Sequence, residues 1–192
     1  MPGPTISEER KNTLVLVFSI FTFLAGYIAA TQPSGAGWRF FSWHPFLMVF
    51  GFIGMMGSAA IIKKKGGYSN TKTHGILSSL GLVTAFVGLW VIYENKERMG
   101  KEHITTTHAL CGIITISLAV MPALAGAIFL HPDFGIDKTN QLYRKVHKWF
   151  ARIVIASAWI TCVFGLMQLT SDMKILSIFA VPLAILAPLT LL

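Results

Sequence analysis

Six apolar runs constrain this chain more than any other feature: about residues 14–30, 44–62, 74–93, 108–130, 148–169 and 174–192. A helix needs about 17–25 residues to cross a hydrocarbon core of about 30 Å, and each run is of that order. Lipid offers no water to bond backbone N–H and C=O groups, so segments of this kind are forced into helices that satisfy themselves. The connections are short, TQPSGAGWRF at 31–40 being a loop of turn formers, and they leave no room for a separate soluble domain. The expected fold class is all-α and integral to a membrane, with six transmembrane helices. Composition agrees, since 54% hydrophobic and 12% charged residues lie outside the range of soluble domains.

The net charge of +8 raises nucleic acid as a partner, but the bases sit in the gaps between apolar runs and form no stripe, which argues against it. Topology explains them better, because Lys and Arg in short loops stay cytoplasmic. With the N-terminus inside, the inner side holds Arg10, Lys11, Lys63, Lys64, Lys65, Lys72, Lys138, Arg144, Lys145, Lys148 and Arg152. The outer side holds Arg39, Lys96, Arg98, Lys101 and Lys174, a division of the 16 bases into 11 and 5. Both termini are thereby placed in the cytosol. The first run is read as a retained helix rather than a signal peptide, since its polar flank carries as many acids as bases. Cys111 and Cys162 lie deep in apolar runs and are read as packing residues.

Four histidines repeat one position. His44, His74, His108 and His147 each fall within about a turn of the start of runs two to five. Runs two and four start at the outer face and runs three and five at the inner one, so the histidines sort into two pairs, His44 with His108 and His74 with His147. A histidine in a membrane segment must find a proton partner or a metal for its nitrogens. Any one alone reads as an interfacial imidazole bonded to a carbonyl or water; four at matching positions point further. Small residues follow on the same faces: Gly51, Ser78 and Gly81, Gly112, and Ala151. They either let helices pack closely or clear a face for a porphyrin held by two axial imidazoles. Zinc is disfavoured because no acid or cysteine accompanies either pair. Two haems, each about one turn inside its face, would divide a crossing that one could not span, with electron transfer favoured over oxygen binding.

FSWHP with the following LM (41–48), TKTHG (71–75), TTTHALCG (105–112) and RKVHKW (144–149) together resemble the cytochrome b561 family of six-helix transmembrane reductases. The resemblance covers essentially all of residues 1–192. It implies a four-helix bundle of helices two to five holding two haem b groups, with His44 and His108 on the outer iron and His74 and His147 on the inner one. It also implies electron transfer from cytosolic ascorbate to monodehydroascorbate or a ferric chelate on the other side, by a homodimer. An ALLVYR-like run is replaced by SAAIIKKKGG (58–67), and an SLHSW form by TTTHALCG. These departures resemble the short, domain-containing branch found in endoplasmic reticulum and vesicle membranes, with the plasma membrane as the other location.

Five residues are substrate candidates. Lys72, Arg144, Lys145 and Arg152 cluster near the inner pair and suit an ascorbate anion or a haem propionate, against the plainer reading of topology charges at lipid headgroups. On the outer side His103 offers an imidazole to an iron chelate or a proton. Lys63 to Lys65 read as headgroup contacts, Trp43 and Trp149 as interface aromatics, and Pro182 and Pro188 as kinks in a sixth helix without ligands. Two further functions are weighed: a proton-coupled transporter using the histidines as relays, and a non-catalytic membrane assembly protein.

Overall fold

A computed structural model describes residues 6–191. All six expected spans are helices: α1 (Glu8–Ala30), α2 (Phe40–Lys65), α3 (Tyr68–Arg98), α4 (Thr107–Ile128), α5 (Gln141–Met167) and α6 (Met173–Leu191). No strand occurs among the described residues. Helices α2 to α5 close into a ring, each packed on the next and α5 returning to α2, while α1 lies on α2 and α6 spans α5, α2 and α1.

Most helices outrun their apolar cores at one end or both. The first turns of α3 (Tyr68–Lys72) and α5 (Gln141–Lys145) are polar, so hydropathy alone stops short of them. Asn140 begins α5 by accepting from the N–H groups of Leu142 and Tyr143 at 2.9 and 3.2 Å, and Thr106 begins α4 by accepting from Ala109 at 3.2 Å, satisfying donors that a helix start leaves open. Two residues, Gly66 and Gly67, turn α2 into α3, both with positive φ (75° and 85°), a conformation that a Cβ would strain. The expectation that each histidine stands within a turn of its helix start therefore holds for His44 and His108 and is corrected for His74 and His147, which lie nearly two turns in.

Helix α2 is the hub: two thirds of its apolar window is buried, against a third or less in the others. It is not uniform. A 3-10 turn at Phe40–Ser42 leads into α-helix from Trp43, a π segment occupies Val49–Met55, and α-helix resumes at Met56. At the return the Met56 N–H reaches the carbonyls of Gly51 and Ile53 and passes over that of Phe52. A buried carbonyl left without a donor costs about 1–3 kcal/mol. Trp159 of α5 removes the cost by donating its indole N–H to Phe52 O at 3.2 Å. The indole is 95% buried, tilted against Phe18 of α1 at 5.9 Å.

The small residues below the histidines divide between their two readings. A Cβ on Gly51 would stand 2.6 Å from Gly81 O, and one on Gly81 2.8 Å from Gly51 O. Helices α2 and α3 touch there backbone to backbone, so close packing accounts for both glycines. Ser78 and Ala151 instead line a narrow cavity of ≈70 Å³ together with His74 and His147.

Candidate functional site

The four helices bring the histidines together in the pairs read from topology. The rings of His44 and His108 stand 6.2 Å apart, centre to centre, with planes at 75°. Those of His74 and His147 stand 6.4 Å apart at 82°. Each pair takes one ring from the α2–α3 hairpin and one from the α4–α5 hairpin.

Backbone carbonyls orient the rings. His44 Nδ1 donates to Gly88 O at 2.9 Å, His74 Nδ1 to Ala59 O at 3.0 Å and His108 Nδ1 to Thr161 O at 3.0 Å. A carbonyl can only accept, so these contacts fix the proton on Nδ1 and leave the lone pair on Nε2. None of the four Nε2 atoms bonds to protein among the described residues. The contacts are reciprocal within each hairpin: α2 aims His44 at α3, and α3 aims His74 back at α2. In α4 and α5, His108 is held by Thr161, and His147 faces the backbone of Pro122. His147 Nδ1 is nevertheless buried without a hydrogen bond of ordinary geometry, which sets this ring apart.

Glycines make room for two rings. A Cβ on Gly165 would meet His108 Cε1 at 2.8 Å, and one on Gly126 would meet His147 Cε1 at 3.2 Å. Gly112, the small residue one turn from His108 in sequence, plays no such part: its Cβ would meet only a Thr161 methyl at 3.8 Å. These two glycines lie 57 and 21 residues from the histidines they serve (165 − 108 and 147 − 126), so nothing in local spacing marks them.

The helix ends around His74 and His147 carry the charged candidates. Lys72 donates to Asp133 Oδ2 at 3.0 Å, and the Tyr68 hydroxyl donates to Asp133 Oδ1. These two contacts, Tyr68 first, hold the Asp133 carboxyl below the usual carboxylate range. Neither Tyr68 nor Asp133 was singled out in the sequence, where Asp133 is 61 residues from Lys72. Asp133 belongs to a built loop: Gly135 N–H bonds His131 O at 2.9 Å, His131 stacks on Phe134 at 3.7 Å, and Arg144 Nε ties the loop to α5 through Lys138 O at 2.8 Å. Arg152 lies over the exposed Trp149 ring at 4.9 Å, and Lys145 is exposed. At the far end His103 bonds Glu97 at 2.6 Å and stacks on Tyr93 at 4.6 Å.

Fold and site together define a membrane protein that fixes paired imidazoles at both ends of a helical bundle. The chain belongs to the eukaryotic cytochrome b561 family, whose model matches residues 43–172. Among curated relatives it is 30% identical to the human transmembrane reductase CYB561D2 over 67% of this chain and 58% of that protein. It is 27% identical to the bovine protein of that name, at the same coverage. The bovine transmembrane ascorbate-dependent reductase CYB561 is 26% identical over 88% of this chain and 72% of its own length. The chain thus spans under three fifths of the CYB561D2 relatives.

The family implies haem b, and the residues fit it. A metal–imidazole nitrogen bond is about 2.0 Å, and the ring centre lies about 1.1 Å further on, so two imidazoles on one iron place their centres about 6.2 Å apart. The observed 6.2 and 6.4 Å match. Among the described residues no three His, Cys, Asp or Glu side chains converge; each pair offers two donors, the number a porphyrin-held iron leaves open.

Proposed function

We propose that the chain passes electrons across the membrane between two haem b groups, one held by His44 and His108 and the other by His74 and His147. The observation that carries this is the two facing imidazole pairs with unbonded Nε2 atoms. Haem held by these residues would supply one-electron chemistry. The protein's part is orientation: Nδ1–H bonds to Gly88, Ala59 and Thr161 raise the basicity of the ligating nitrogens and fix the ring planes. His74 and Gly88 lie 14 residues apart on α3, as do His147 and Thr161 on α5. That is about 21 Å of helix, so the two pairs sit in opposite leaflets.

Ascorbate is the proposed donor, supported by the relatives named ascorbate-dependent reductases, and it is assigned to the end bearing Lys72, Arg144, Lys145 and Arg152. The cations there favour an anion, and the 11 to 5 division of bases supports assigning that end to the cytosol. The acceptor at the His103 end is proposed as monodehydroascorbate or a ferric chelate. The resemblance adds a homodimer in an endoplasmic reticulum or vesicle membrane. The test is the purified chain: two b-type haems per chain, reducible by ascorbate, are expected. A haem-free, stable protein would hand the histidines to proton relay or assembly instead. For orientation, a cysteine at Lys65 should react with an impermeant thiol reagent from the cytosolic side only; labelling from the lumenal side would invert the two ends.

A further inference from the structure

Helix α2 differs from its neighbours by one residue. In α3 and α5 the histidine and the carbonyl that serves the other leaflet are 14 residues apart (74 to 88, 147 to 161); in α2, His44 and Ala59 are 15 apart. A π segment is the way a helix absorbs a single extra residue, and Val49–Met55 lies between the two. The segment therefore keeps His44 and the Ala59 carbonyl in phase, although one serves each pair. Without it the extra residue would rotate one end of α2 by about 100° relative to the other.

What holds the wide turn in place is Trp159, outside both pairs. Its N–H fills the carbonyl the return to α-helix passes over, and its ring is wedged by Phe18 at 5.9 Å and against Gly57, where a Cβ would stand 3.4 Å from Trp159 Cζ2. We propose that Trp159 is a positioning residue that fixes the register of α2 and so sets the imidazole geometry of both pairs at once. Trp159 acts together with the close approach of Gly51 to Gly81: a wide turn moved along α2 would leave its bypassed carbonyl without the indole donor and rotate the intervening residues out of those contacts.

The readout, though not the packing argument, rests on the haem reading. In the full chain, Trp159→Phe keeps a ring and loses the donor. With haem content still two per chain, the low-spin electron paramagnetic resonance signals of both haems should shift. Amide exchange at residues 49–56 should quicken in the haem-free protein. Deleting Phe50, which is only half-buried, restores the spacing of 14 and removes the need for a donor; combined with Trp159→Phe it should return both signals towards the wild type. A change confined to the haem on His108, two residues from Trp159 through Thr161, would reduce the indole to a local packing role and overturn the proposal. So would unchanged spectra and exchange, or no recovery in the double variant. A wild-type protein lacking two haem signals would sink the haem reading, while the exchange rates would still decide whether Trp159 holds the turn.

Discussion

The two histidine pairs share their spacing and differ in their surroundings. At the His44–His108 end both rings are anchored, each Nδ1–H on a carbonyl, and His44 is 91% buried. At the His74–His147 end one ring is anchored and the other meets its carbonyl, that of Pro122, only in a looser contact, a cavity opens beside them, and a loop from the opposite hairpin brings a carboxylate to the helix ends. One end holds both imidazoles on carbonyls at ordinary hydrogen-bond distance; the other holds one of its two less tightly, next to the face that would receive a soluble anion. Rigidity and access have been separated by leaflet.

The largest expected effect tests the pairing itself. His108→Ala should lose about one of the two haems, and His44→Ala should leave the same residual optical spectrum, with His74→Ala and His147→Ala sharing the other. Matching spectra for His44→Ala and His74→Ala would dissolve the pairs. Next comes the difference in tightness. Gly165→Ala drives a methyl into the anchored His108 ring at 2.8 Å and should cost about 1–3 kcal/mol of stability with loss of that haem. Gly126→Ala meets His147 at 3.2 Å, where the more loosely held ring can give by a few tenths of an ångström. Its cost is roughly offset by the helix preference for alanine, about 1 kcal/mol. Equal loss in thermal scans and haem content would erase the contrast between the tightly and the loosely held ring.

A smaller effect is expected at the charged loop. Lys72→Ala should slow haem reduction by ascorbate about tenfold and leave a neutral donor unaffected. Asp133→Asn, which releases the ammonium for a substrate anion, should raise the ascorbate rate about threefold; stopped-flow reduction with both donors distinguishes these from a disturbed haem, which would slow both. The smallest effect is on pH. Asp133 has a depressed carboxyl, so its tether to Tyr68 and Lys72 contributes fully above the ordinary aspartate pKa and is lost as pH falls through the lower folded value. Loop protection in amide exchange should therefore be level from neutral pH to about 4 and decline below it; Asp133→Asn should abolish the decline.

What the sequence disclosed follows from what each signal requires. Apolar length and histidine position are local, so the six spans and the sorting of His44 with His108 and His74 with His147 could be read directly. The polar first turns of α3 and α5 escaped because hydropathy cannot see a helix that continues into headgroups. Tyr68 and Asp133, Gly126 and Gly165, and the carbonyl acceptors are long-range partners, and a carbonyl carries no residue signature at all. The extra residue in α2 becomes visible only once the acceptors are known, as 15 against 14.

Reciprocal bonding within hairpins also bears on how such a protein is made. The contacts of His44 with Gly88 and His74 with Ala59 close inside residues 40–98, and that of His108 with Thr161 closes inside 107–167. Each hairpin can leave the insertion machinery with these contacts made, while the register of α2 still waits on Trp159 from the other half. On the proposed function, cofactor uptake would join the two halves, since each histidine pair draws one ring from each hairpin. The Trp159 contact to Phe52 is a peptide-level link across the same seam. Biogenesis would fail late, at the joining of halves, rather than early at insertion of any single span.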